Sequence, residues 1–358
     1  MKISFDDAVT LPRDVFGFLE WSSGVIWINM ESNQYYDWLD SEDRRKGPVN
    51  EAINHELFHA LQVATCGYMN YYASLILKEL VTENKDRIMS EFGRGFFEDW
   101  FKWFFSEIPK PNTKVEQYLE SLDETSNQGV STREIIEGAA YLWQKKSINR
   151  NISCEEYISK LRFAPGTDYT NAFLYAYKVL GNKAFDLYFS IAFVSLCFLE
   201  PQKVFPIICE ELTNRNCNNF LSAYLVGQKL STDFYYLGDM TTCFRHIDFK
   251  SKGMEWINPL HKETVSKINE LSTLKGVSIV EMMSDPFLWL LDLSEYMHRP
   301  IIFNSGEVSL FGGKSIFEYS GRQRDKVLDF VPQLYFGVYC FLIYQQTGKG
   351  PKFLKLSI

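Results

Sequence analysis

Residues 54–62 read NHELFHALQ, and they constrain this chain more than any other stretch of it. Two of the five histidines stand four apart with a glutamate between them. In an α-helix, residues four apart lie on one face, one turn from each other. His55 and His59 then present two imidazoles side by side, at the spacing where two nitrogens reach one Zn2+ about 2 Å away. Glu56 is rotated by about 100° from His55. It need not be a ligand, and can instead hold a metal-activated water and take its proton. The neighbours Ala52, Ile53, Leu57, Phe58, Ala60 and Leu61 are uncharged and mostly apolar. Such a helix is buried along much of its surface, where bare ring nitrogens need partners. The competing reading is a pair of structural histidines on a core helix.

The motif helix should run from about 49 to 65, with Gly67 as its C-terminal stop. Ahead of it, FGFLEW and GVIWINM flank SSG and read as a strand hairpin. Behind it, residues 68–82 form a second helix, and residues 92–105 belong to a third that is dense with aromatics and closed by Pro109. Ser131-x-x-Glu134 is a capping box that opens another helix. After residues 162–170 the chain reads as mostly helical to about 230, and short strands with glycine turns follow near 300–320. The expected fold class is α+β and helix-rich. It has a small N-terminal, mostly antiparallel sheet packed on the HExxH helix, followed by a largely helical C-terminal region.

Net charge is −8 and there is no long basic run. Affinity for nucleic acid comes from Lys and Arg meeting phosphates, so a nucleic-acid partner is not expected. The two most apolar segments, 184–201 and 331–346, fall short of the roughly 20 residues that span a bilayer. They read as buried core helices, and no membrane span is expected. Residues 1–16 lack an uninterrupted apolar stretch and carry Asp6 and Asp7, unlike a signal peptide. Seven cysteines, at 66, 154, 197, 209, 217, 243 and 340, form no C-x-x-C. Reduced thiols in a cytoplasmic protein follow as the expectation. P-loop and G-x-S-x-G motifs are absent, and EFGRGF follows no strand.

The succession of an edge-like strand (GVIWINM), a loop and AINHELFHAL resembles the catalytic core of the zincin metallopeptidases, over residues 16–66. The resemblance implies extended peptide added to the edge of that strand, at residues 25–30. It also implies zinc held by three protein ligands, with a position left for water. The metzincin continuation would need Gly and His where Gln62 and Thr65 stand. The gluzincin type takes its third ligand, a glutamate, from a later helix. Glu137, in REIIEGAAYLW, is the preferred residue: Gly138, Ala139 and Ala140 permit close helix approach, and EGAAY resembles the glutamate segment of many gluzincins. Glu79 is the rival, 20 residues after His59, with Glu83, Glu134 or an aspartate also open. The capping box better explains Glu134. The 78 positions from His59 to Glu137 are long for the family. Tyr141 also stands where some gluzincins carry an aspartate that orients a histidine.

These readings combine into one expectation: a zinc-dependent peptidase acting on a peptide or protein substrate. Zn2+ is held by His55, His59 and Glu137, and Glu56 is the general base. Residues 1–165 would form the zincin-like catalytic core and 166–358 a mostly helical accessory region. His246, His261, His298, Tyr169 and Tyr175 are the open choices for stabilising an oxyanion. Two alternatives stand beside this reading: a zinc-stabilised binding protein without turnover, and a latent protease effector activated by a partner.

Overall fold

A computed structural model describes residues 48–69, 71–73, 120–214, 220–237 and 270–277, single residues at 37 and 86, and five short strands. The strands are β1 (Gly17–Glu20), β2 (Val25–Ile28), β3 (Ile301–Phe303), β4 (Glu307–Leu310) and β5 (Ser315–Glu318). The helices are α1 (Pro48–Thr65), α2 (Thr132–Ile148), α3 (Cys154–Leu161), α4 (Asn171–Leu180), α5 (Lys183–Ser195), α6 (Pro201–Asn214) and α7 (Phe220–Leu230). A 3-10 turn, Thr167–Tyr169, leads into α4.

Local chemistry explains most helix ends. Ser131 caps α2 by accepting from the Glu134 N–H, and the Glu134 carboxylate accepts from the Ser131 N–H in return. That is the reciprocal capping box that the sequence indicates. Lys145 and Lys146 close the last turn, at the negative end of the helix dipole. Ser153 caps α3 by accepting from the Glu156 N–H. α4 stops at Gly181, whose φ of 63° suits a residue without a Cβ. α1 ends at Thr65, where the sequence places its stop, although Gly67 beyond it does not adopt a positive φ. Gly67 lies in a further helical turn, 67–69, which is held to the residue that follows α5 by the Tyr68 N–H donating to the Leu196 carbonyl at 2.8 Å.

The core is helix packed on helix. α2 and α5 are buried on nearly every face: α2 from Ile135 to Trp143 except Glu137, and α5 from Ala184 to Ser195 except Asp186. Apolar segment 184–201 is thus interior, with its residues up to Ser195 forming α5 and a turn leading to α6 at Pro201; segment 331–346 lies outside the described residues. No helix among the described residues is long and apolar enough to cross a membrane. Cys66, Cys154, Cys197 and Cys209 are buried and form no disulfide among the described residues.

The expectation of a small N-terminal sheet packed on the motif helix is corrected. The described residues are predominantly helical, and α1 packs chiefly on α2. β1 and β2 form a hairpin beside α1, but they build no self-contained N-terminal sheet. Their sheet takes three of its five strands from residues 301–318, in the order β1-β2-β3-β4-β5, and β2 pairs with β3 in parallel. The physical reason is size: an isolated two-stranded hairpin is marginal in water and needs further strands or a helix. The same pairing corrects the edge strand. β2 is bonded on both sides, by β1 and by β3, so no peptide can add to it. The helices expected at 68–82 and 92–105 lie outside the described residues apart from 68, 69 and 71–73.

Gly138 has a partner that its neighbours do not reveal. A Cβ there would meet the Tyr188 hydroxyl of α5 at 2.5 Å, so the close approach is to α5. The Tyr188 ring is fully buried and cannot swing aside. Gly138→Ala should therefore destabilise by about 1–3 kcal/mol through overpacking, despite a helix propensity gain of about 1 kcal/mol. Urea denaturation of Gly138→Ala alone and with Tyr188→Phe checks this. The double variant should recover stability, and a stabilised single variant would mean that Gly138 has another purpose.

Candidate metal centre

α1 and α2 run in opposite directions across each other. Glu51, near the start of α1, accepts from Gln144 Nε2 and Lys145 Nζ near the end of α2, both at 2.8 Å. At the other end of α1, Gln62 donates from Nε2 to the Ile136 carbonyl at 3.2 Å. Between these ties, Phe58 stacks on Trp143 with ring centroids 5.3 Å apart. This frame sets the inward face of α1 against the buried middle of α2.

Three side chains converge there. His55 Nε2 lies 3.0 Å from Glu137 Oε2 and 3.0 Å from His59 Nε2, and His59 Nε2 lies 3.4 Å from the same carboxylate oxygen. The two imidazoles stand edge to face, with centroids 4.6 Å apart. Four-coordinate zinc with ligands at about 2.0–2.1 Å has ligand-to-ligand edges of about 3.3 Å. The observed triangle needs only a few tenths of an ångström of expansion to match. Its two imidazole nitrogens and one carboxylate oxygen are also the donor types that zinc takes. The three residues therefore fit the metal.

Burial and charge act together on this cluster. Burial works to lower the His59 pKa, but the Glu137 carboxylate, its hydrogen bond, the Glu56 charge and Gln62 carry it up to about 9. Burial would raise the Glu137 pKa, yet the facing histidines hold it well below the usual carboxylate range. Both histidines are buried, whereas the Glu137 side chain keeps 20% of its surface exposed. Of the three side chains, Glu137 is thus the one with most surface exposed.

Glu56 is buried beside the cluster, and its charge is felt by both His59 and Tyr169. Tyr169, from the 3-10 turn, places its ring 5.7 Å from that of His55 and 5.7 Å from that of Tyr141. Burial, then the charges of Glu137, Glu56 and Asp168, push its phenol upward, so it stays a proton donor. Tyr141 packs on Tyr169 and beneath Lys145. Arg133, one turn before Glu137, is held by Asp123 at 2.6 and 3.1 Å.

Other sequence candidates fall elsewhere. Both Glu134 oxygens are engaged, one by the Ser131 N–H and one by Asn171 Nδ2 at 2.8 Å. Tyr175 donates to Glu210 at 3.2 Å. Glu79, Glu83, His246, His261 and His298 lie outside the described residues. Sequence reasoning passed over Gln62, whose Oε1 lies 2.8 Å from His59 Nδ1. The available signal was its place three residues after His59, on the same face of the helix. No protein-family model, curated protein or solved structure matches this chain.

Proposed function

We propose that this protein is a zinc-dependent peptidase of the gluzincin type that hydrolyses peptide bonds in a peptide or protein substrate. The observation that carries the reading is the meeting of His55 Nε2, His59 Nε2 and Glu137 Oε2 at 3.0–3.4 Å, from two helices 78 residues apart in sequence. His55, His59 and Glu137 would hold the ion. When bound, zinc supplies Lewis acidity that makes water a stronger acid and a carbonyl a better electrophile.

The chain's own residues account for the proton traffic. Glu56 follows His55 directly, is buried beside the cluster and is no member of the converging triangle, a placement that suits acid–base work rather than ligation. It takes a proton from the attacking water and gives it to the leaving amine. Tyr169, kept protonated beside His55, can donate to the oxygen on which negative charge develops. The exposed side of Glu137 is the approach for substrate.

The test joins composition and turnover. Elemental analysis should give about one zinc per chain in wild type and in Glu56→Gln. Mass spectrometry of a peptide library should show cleavage by wild type, reduced by about 100–10,000-fold in Glu56→Gln. Zinc in both proteins with cleavage in neither would favour the zinc-stabilised binding protein. Absence of zinc after reconstitution would leave a buried pair of structural histidines.

A further inference from the structure

We infer that Gln62 is a positioning residue that holds His59 in the tautomer with its Nε2 lone pair facing the metal site, and that it ties this choice to the helix bearing Glu137. The inference rests on the metal-centre reading above and goes beyond it, because Gln62 is neither ligand nor base.

The assignment follows from which atoms can accept and which can donate. Gln62 is buried, and its amide lies between two partners. One is the Ile136 carbonyl, 3.2 Å from Nε2. A main-chain carbonyl only accepts, so the amide nitrogen must face it, and the amide oxygen must face the other way. The other partner is His59 Nδ1, 2.8 Å from Oε1. An amide oxygen also only accepts, so Nδ1 must carry the proton. The lone pair of a neutral ring then sits on Nε2, the atom 3.0 Å from His55 Nε2 and 3.4 Å from Glu137 Oε2. A flipped amide would set its oxygen against the Ile136 carbonyl oxygen and lose that bond in a buried place, which fixes the orientation shown.

Two further observations make the arrangement specific. Ile136 directly precedes Glu137, so the side chain that orients one ligand grips the backbone beside another. His55, by contrast, has no hydrogen-bond partner at Nδ1 among the described residues. Its ring is set by the cluster itself and by packing near Tyr169. Outer partners of metal-bound histidines hold the ring and its tautomer, and losing one typically lowers metal affinity 10–100-fold.

Zinc affinity, measured by competition with a chelator, should fall about 10–100-fold in Gln62→Leu, which keeps bulk but has no acceptor. Gln62→Glu keeps an acceptor for the Nδ1 proton and should recover most of that loss, although it gives up the donor to Ile136. In zinc-loaded wild type with nitrogen-labelled histidine, NMR should show His59 protonated at Nδ1, with that proton protected from exchange. The inference is overturned by unchanged zinc affinity in Gln62→Leu, by failure of Gln62→Glu to rescue, or by a wild-type spectrum with the proton on Nε2. A packing role alone would lower thermal stability in both variants and leave the affinity of the folded protein untouched, which also overturns it. If Gln62→Leu does not fold, the wild-type spectrum decides. Wild type that binds no zinc would remove the metal-centre reading itself, whereas wild type that binds zinc while Gln62→Leu binds equally well removes only the role of Gln62.

Discussion

Glu137→Gln is expected to abolish stoichiometric zinc binding. The variant keeps the size of the side chain and removes its charge, so the fold around it changes little. What it loses is the anionic oxygen that both histidines face, at 3.0 and 3.4 Å. Two neutral imidazoles alone make a weak zinc site. The affinity loss should exceed the roughly 10–100-fold that follows removal of an outer partner. Thermal denaturation gives an independent reading. Zinc at about 100 times its Kd should stabilise wild type by about 2.7 kcal/mol and do nothing for Glu137→Gln. Glu79→Ala should behave as wild type in both assays. Glu134→Gln should keep zinc, because that carboxylate serves Ser131 and Asn171. Full zinc binding by Glu137→Gln would move the third ligand to another residue, with Glu79 first in line.

The second large effect concerns the frame that brings the ligands together. Trp143→Ala should cost about 3–5 kcal/mol, since it empties a large volume that surrounding helices cannot refill. Trp143 is 1% exposed and stacks on Phe58, which in turn touches Phe189 of α5. Phe58 immediately precedes His59, and Trp143 lies six residues beyond Glu137 on α2. The stack therefore holds together the two helices that carry His55, His59 and Glu137. Domains are typically stable by about 5–15 kcal/mol, so the loss is a large share of the total. Chemical denaturation measures it, and Trp143→Phe should restore most of the stability. A cost below about 1 kcal/mol would place the strength of the α1–α2 contact elsewhere.

What could be read directly from the chain was local. The turn-to-turn spacing of His55 and His59, the apolar flanks of α1, the capping box at Ser131 and the helical run from α4 to α7 all depend on residues within a few positions of each other. Such features follow from the 3.6-residue repeat and from short-range hydrogen bonds, which act wherever the segment finds itself. Gly67 shows how far local rules reach. α1 does end at Thr65, just ahead of it, but the chain turns straight into a new helical stretch at 67–69, where Tyr68 donates to the distant Leu196.

Tertiary structure decided which partners meet. Sequence placed Glu137, Glu79, Glu83 and Glu134 in competition, and only the crossing of α1 and α2 sets the Glu137 carboxylate against both histidines. Strand β2 looked like an edge until β3, from more than 270 residues later, paired with its free side. Gly138 seemed to make room for α1, whereas the atom that needs the space belongs to Tyr188 on α5. Gln62 was visible only as a departure from another motif. Its two hydrogen bonds, to His59 and to Ile136, exist only once two helices pack. The sequence by itself determined which elements form and which faces they bury. The choice of contact across long separations was left to packing, because closing a long loop is favoured only when the surfaces brought together fit.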